Sequence, residues 1–280
     1  MTDPQRDAKK ARILTIAGSD SGGGAGIQAD IKTMTALGGF AMSAITALTA
    51  QNTQGVQDIC DVPPAFVIRQ ISAVLSDLGA DAIKTGMLPK TDIIEAVALA
   101  IDDYEGPLVA DPVMVASSGD RLLQDEAVAA LQSCLLVRAD LVTPNLPEAE
   151  VLTGRGVETL DDMKFAADAL MNKGVQAALI KGGHLARSGS AVVQDLLATQ
   201  AGFQLFENPR LDSQNTHGTG CSLASAIATG LGQGLELAAA VERGIAYVRG
   251  AIFYADAELG RGTNKPLHHG WVLAPQTKDG

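Results

Sequence analysis

The sequence predicts an α/β fold built around a largely parallel central sheet, and three observations carry that prediction. Short apolar runs alternate with helical-period segments along most of the 280 residues, the pattern of successive βαβ units. Aromatic residues make up only 4% while glycines number 30, which suits a layered core of small and aliphatic side chains joined by many turns. Polar or glycine-rich segments follow one apolar run after another, at the strand ends where open α/β sheets bind their ligands.

Residues 1–11 are polar and read as a solvated tail, and residues 12–280 as one domain, because no Pro/Ser-rich linker, repeat or low-complexity tract divides them. The run 13–17 stops at Gly18 and reads as a buried strand. A glycine-rich loop over 18–26 leads into a helix over 27–37, and residues 42–50 read as the next strand. Apolar Val67, Ile71, Val74, Leu75 and Leu78 recur at helical spacing within 64–78. A short strand at 82–84, a helix at 93–101 and a strand at 107–110 follow. Further strands fall at 141–143 and 177–181, with helices between them. Segments 191–198 and 203–207 read as a hairpin turned at Gly202. Two helices close the chain, at 218–231 and 235–259, the second with a core-facing stripe of Leu237, Val241, Ile245, Val248, Ile252 and Ala255.

Composition excludes several functions. The net charge is −11 without a basic stripe, which argues against a nucleic-acid partner. Cys60, Cys134 and Cys221 are odd in number and widely spaced, so neither a disulfide framework nor a structural zinc site is expected. The opening stretch lacks the apolar run of a signal peptide, and no segment reaches the ~20 apolar residues of a membrane span. A soluble, cytoplasmic protein with no membrane partner is the expectation.

Familiar catalytic motifs are absent. The dipeptide Gly-Lys does not occur, so there is no P-loop, and the run Gly22 to Gly26 lacks the spacing of a dinucleotide fingerprint. The strongest positive signal is Asn215-Thr216-His217-Gly218-Thr219-Gly220-Cys221, directly ahead of a helix of small residues. Converging glycine amides at a helix N-terminus make an anion hole suited to a transferring phosphoryl group. An ordinary glycine-rich helix start is the plainer alternative. Asn145 and Glu148, three apart at a helix start, form a capping pair and can also face a hydrated Mg²⁺. Lys181 ends a strand at the ligand edge, where it can neutralise phosphate or simply meet solvent. Asp111 ends its strand too, and either binds Mg²⁺, orients a proton or shapes the turn before Pro112. His217 and His184 flank the phosphate loops and read as structural.

The segment from Ala17 to Asp30 resembles the opening motif of hydroxymethylpyrimidine/phosphomethylpyrimidine kinases, within the ribokinase-like superfamily. Residues 46–53, 84–88 and 111–114 and the Asn145, Lys181 and Gly218 segments resemble that family in the same order, over about residues 12–269. The resemblance implies a three-layer αβα, ribokinase-like fold without a large lid domain, Mg-ATP as donor, and a homodimer. It implies phosphorylation of the hydroxymethyl group of an aminopyrimidine, then of the monophosphate to the diphosphate, for thiamine diphosphate synthesis. Ring binding would fall on Gln51, with Gly18, Asp30, Met87 and Val113 nearby. An amide offers both donor and acceptor to an aminopyrimidine edge, and a thioether packs on a flat ring. Lys181, Asn145 and Thr219 would hold the nucleotide, and Asp111, Asn145 and Glu148 the metal. Gly218, Thr219, Gly220, Cys221 and Lys181 would form the catalytic group.

In this branch Cys221 stands where many ribokinase-like sugar kinases carry an aspartate base. A thiol is a poor base unless a helix N-terminus lowers its pKa, and its role as a base stays open at this point. Two other functions fit the sequence less well. Pyridoxal or pyridoxine, also flat and hydroxymethylated, is an alternative acceptor. A non-catalytic binder would need degenerate phosphate loops, whereas Gly218, Gly220 and Lys181 are all present.

Overall fold

The computed structural model describes residues 10–114, 123–183 and 191–273. Among them, nine strands form one sheet in the order β3-β2-β1-β4-β5-β6-β7-β8-β9. These are β1 (Arg12–Asp20), β2 (Phe40–Asn52), β3 (Gly55–Asp61), β4 (Ala82–Thr85), β5 (Leu108–Ala110), β6 (Leu141–Val142), β7 (Ala178–Ile180), β8 (Val192–Thr199) and β9 (Gly202–Pro209). The six strands from β2 to β7 across the middle are mutually parallel. Antiparallel β3 extends one edge, and the β8–β9 hairpin the other.

Side-chain alternation along the parallel strands builds two cores. Ile13, Ala82, Val109, Leu141 and Leu179 point to one face, and their neighbours Leu14, Ile83, Ala110, Val142 and Ile180 to the other. Helices α2 (Pro64–Asp77), α3 (Thr91–Ala100), α4 (Asp125–Ala130), α5 (Leu146–Thr153) and α6 (Leu160–Asn172) cover the second face. Helices α1 (Gly26–Ala36), α7 (Thr219–Gly232) and α8 (Leu237–Phe253) cover the first. The result is the expected three-layer αβα arrangement. Each fully buried aliphatic side chain in these layers stabilises it by roughly 1.5–3 kcal/mol.

Helix α7 is buried on every side, with all nine residues from Ser222 to Gly230 inside. Small side chains make this feasible. A Cβ on Gly230 would lie 2.9 Å from that of Ala240, so glycine lets α8 approach closely. The chain leaves β1 for β2, then returns to place β4 on β1's opposite side. That reversal opens a crevice beyond the carboxyl ends of the parallel strands.

Two expectations need adjustment. Residues 55–61 form β3, an edge strand that carried no sequence signal because five of its seven residues are exposed. The last helix stops at Phe253 rather than near residue 259. The following segment turns back, and the Asn215 amide donates to the carbonyls of Asp256 and Pro266. No helix of the described residues is long and apolar enough to cross a membrane.

Candidate active site

A cavity of about 850 Å³ occupies the crevice, and its walls include Gly18, Gln51, Met87, Lys181, Gly218 and Cys221. Each wall has a local cause. Strand β1 slips register between Ala17 and Ser19, and there a Cβ on Gly18 would meet Met87 Cε at 2.5 Å. Glycine therefore allows Met87 to fold over the strand end. Asp20 closes the next loop, accepting from the amides of Gly22 at 2.8 Å, Gly24 at 3.0 Å and Ala25 at 2.8 Å. Its carboxylate also meets His217 Nε2 at 3.0 Å. Burial opposes ionisation of Asp20, but the His217 contact and the Ala25 and Gly22 amides hold it below the usual carboxylate range.

Gln51 projects from the β2–β3 ribbon, beside a register shift between Ala50 and Gln51. The ribbon is fastened to the glycine loop. Ser21 Oγ donates to Gln51 O at 2.8 Å and accepts from Gln51 N at 2.8 Å, and Thr49 Oγ1 donates to Ser19 O at 2.8 Å.

Against the glycine loop, Gly218 takes a left-handed conformation (φ +88°) as the N-cap of α7, and no side chain caps that helix. A Cβ on Gly218 would fall 1.9 Å from Gly24 O, so the two glycine loops interlock. Thr219 N donates to Thr216 O at 3.3 Å, and the amides that follow it, with no side-chain cap, can face an anion. Lys181 Nζ lies 3.0 Å from Asp111 Oδ1 and 4.0 Å from Glu148 Oε2. A Cβ on Gly220 would sit 3.2 Å from that ammonium, which puts the lysine directly against the first turn of α7. Burial works against the Lys181 charge, but Asp111 and Glu148 raise its pKa.

Asn145 and Glu148 form a complete capping box: Glu148 N donates to Asn145 Oδ1 at 2.9 Å, and Asn145 N to Glu148 Oε2 at 2.8 Å. Burial pushes the Glu148 carboxyl up to about 7, against the pull of Lys181. Cys221 lines the cavity, and burial pushes its thiol up to about 11 despite the nearby Lys84 charge. Burial and the Asp30 and Asp111 charges thus favour the protonated thiol, against the pull of Lys84.

The sequence-derived residues Gly18, Gln51, Met87, Asp111, Val113, Asn145, Glu148, Lys181, Gly218, Thr219, Gly220 and Cys221 all line this one cavity. Asp30 does not. It is fully buried beneath the floor, where both oxygens meet Lys84 Nζ at 2.9 Å, and it also accepts from Thr15 at 2.6 Å and Ser225 at 2.7 Å. Its carboxylate is saturated within the fold and has no lone pair directed to the cavity. His184 lies outside the described residues. Asp20 was the residue sequence reasoning passed over. An aspartate ahead of three consecutive glycines, whose free amides it can collect, was the available signal.

Comparison with known proteins agrees with this geometry. The family model described as phosphomethylpyrimidine kinase matches residues 20–268. The hydroxymethylpyrimidine/phosphomethylpyrimidine kinase of Streptomyces coelicolor is 47% identical over 98% of this chain and 99% of its own. The thiamine biosynthesis bifunctional protein ThiED of Geobacter sulfurreducens is 49% identical over 95% of this chain, which spans about half (53%) of that longer protein. Among solved structures, the pyridoxal kinase of Staphylococcus aureus, in complex with pyridoxal or with ADP, superimposes with a TM-score of 0.85 at 33% identity, over 94% of each chain. A match that runs from Asp20 of the glycine loop past α7 and α8, with a relative nearly half identical over its full length, makes this chain a member of the phosphomethylpyrimidine kinase family.

Proposed function

We propose that this protein transfers the γ-phosphoryl of ATP to the hydroxymethyl group of 4-amino-5-hydroxymethyl-2-methylpyrimidine, and then a second one to the resulting monophosphate. The observation that carries this reading is the meeting of Gln51 and the Gly218–Cys221 turn in one cavity of small-molecule size. Gln51 supplies a donor and an acceptor to the ring edge, and Met87 packs on its face. The α7 amides and Lys181 stabilise the charge that develops on the transferring group.

Burial raises the Cys221 thiol, so the transfer does not depend on a thiolate abstracting the acceptor's hydroxyl proton early. A loose phosphoryl-transfer transition state does not require it. Cys221 instead shapes the wall beside the hydroxymethyl group.

Asp111 and Glu148 fit Mg²⁺, because the ion is held through one or two carboxylates while phosphate oxygens and waters complete its shell. Among the described residues no larger group of metal-ligating side chains accompanies them. The Asn145 oxygen already accepts from Glu148 N, and its part is to orient Glu148. When bound, the ion would neutralise phosphate charge beside Lys181.

A panel of hydroxymethylpyrimidine, its monophosphate and pyridoxine, with product masses, tests the reading. Mono- and diphosphate products from the pyrimidine are expected, and their absence with folded protein overturns it. The likeness to a pyridoxal kinase supports one second reading, pyridoxine phosphorylation, which a higher kcat/KM for pyridoxine would establish.

A further inference from the structure

The Gln51 amide carries two contacts that cannot both be hydrogen bonds as placed. Thr49 Oγ1 lies 3.1 Å from Gln51 Oε1, but its one proton goes to Ser19 O at 2.8 Å. Gln51 Nε2 lies 3.5 Å from His217 Nε2. That ring nitrogen is also 3.0 Å from Asp20 Oδ2, an ionised acceptor that requires it to carry a proton. Oxygen therefore faces oxygen at one end of the amide, and N–H faces N–H at the other. Turning the amide over, an orientation that hydrogen bonding must decide, cures both faults. The Gln51 nitrogen then donates to Thr49 Oγ1, and its oxygen faces the electropositive N–H edge of His217, whose proton Asp20 holds, in an electrostatic contact at 3.5 Å.

His217 itself has little freedom to move. A Cβ on Gly24 would be 2.4 Å from its Cδ2, its backbone amide donates to Lys265 O at 3.0 Å, and the residue is 8% exposed. Asp20 is equally fixed by three loop amides. Neither residue needs to touch the reacting atoms in order to govern how Gln51 is presented.

We propose that Asp20 and His217 form a positioning pair that, with Thr49, fixes the sense of the Gln51 amide and so the orientation in which the acceptor ring is read. The inference rests on the pyrimidine-kinase reading above. The amide offers its acceptor on the His217 side and its donor on the Thr49 side. A ring edge with an exocyclic amine beside an unprotonated ring nitrogen satisfies both when the amine lies toward His217. The pyridine of pyridoxine has no such amine, so the pair contributes to specificity as well as to binding.

The test compares His217→Leu, His217→Gln and Thr49→Val in steady-state kinetics with hydroxymethylpyrimidine and pyridoxine, with melting curves for each variant. His217→Leu is expected to raise KM for the pyrimidine by about tenfold or more, to lower kcat much less, and to narrow the pyrimidine-to-pyridoxine ratio about tenfold. His217→Gln keeps an N–H for Asp20 and should restore KM to within about threefold of wild type. Thr49→Val, at the amide's other end, should raise KM in the same direction and serves if His217→Leu does not fold. A His217→Leu enzyme with wild-type KM and substrate ratio, or a His217→Gln enzyme no better than His217→Leu, overturns the proposal. Wild-type protein that phosphorylates pyridoxine and not the pyrimidine would instead overturn the functional reading. In that case the amide has no amine to orient, and a pyridoxine KM unmoved in His217→Leu would overturn the pair as well.

Discussion

Two lysine–aspartate pairs lie near the first turn of α7 and have opposite roles. Lys84 and Asp30 are fully buried, with the ammonium between both carboxylate oxygens at 2.9 Å and with Thr15 and Ser225 completing the aspartate. Burial alone would depress Lys84, but the Asp30 charge overrides it and raises the pKa. The pair joins β1, α1, β4 and α7, and neither residue lines the cavity. Lys181 meets Asp111 through one oxygen, keeps 13% of its side chain exposed, and borders the cavity. A saturated charge pair acts as part of the fold, and an unsaturated one beside an anion-binding turn is available for chemistry.

That contrast can be broken most forcefully at Lys84. Lys84→Met leaves an uncompensated buried carboxylate and should cost about 3–5 kcal/mol of stability, read as a lower denaturant midpoint. Adding Asp30→Asn should recover part of the loss. Lys181→Ala should act mainly on chemistry, lowering kcat about 10²–10³-fold with a smaller loss of stability than Lys84→Met. If Lys181→Ala mainly unfolds the protein, the division of roles is wrong.

A third test uses the buried imidazole behind the same helix. His269 Nε2 meets Ser222 Oγ at 3.0 Å, and burial lowers its pKa from 6.5 to about 4. Because the folded state resists protonation, this contribution is complete above pH 6.5 and fades as pH falls toward 4. It amounts to roughly 2 kcal/mol lost by pH 5. His269→Gln should flatten that part of the stability–pH curve. Gln51→Ala should raise acceptor KM about tenfold and leave thermal stability nearly unchanged. The smallest effect is expected at Cys221. With its thiol near 11, the rate should show no thiol limb from about pH 7.5 to about 9.5, and Cys221→Ser should keep kcat within about threefold. A rate rising through about pH 8.5 and lost in the serine variant would restore the thiolate base.

The layered fold was legible because alternation along strands such as 13–17 separates two buried faces, and that is written in side-chain polarity. The phosphate wall was legible for a related reason: glycines in the 218–220 turn, together with a lysine at a strand end, are residue types that an anion site needs and a packed core does not. Asp30 misled because a carboxylate near a glycine loop reads the same whether it faces a ligand or a buried lysine 54 residues away. The difference lies in tertiary pairing, which leaves no local signature. Strand β3 escaped for the opposite reason. Its exposed residues are held by backbone pairing with β2, and backbone amides have no sequence code.

The uneven burial of the cavity's walls has an evolutionary consequence. Helix α7 is buried on every side and Gly230 sits tight against Ala240, so a methyl group added there would press on the helix that carries the 218–221 turn. The outer end of the β2–β3 ribbon, residues 48–52 with β3, is largely exposed and should tolerate replacement at less structural cost. A lineage on this scaffold can therefore acquire a new vitamin precursor by redrawing the ribbon, while the phosphate end stays a nearly invariant reference point.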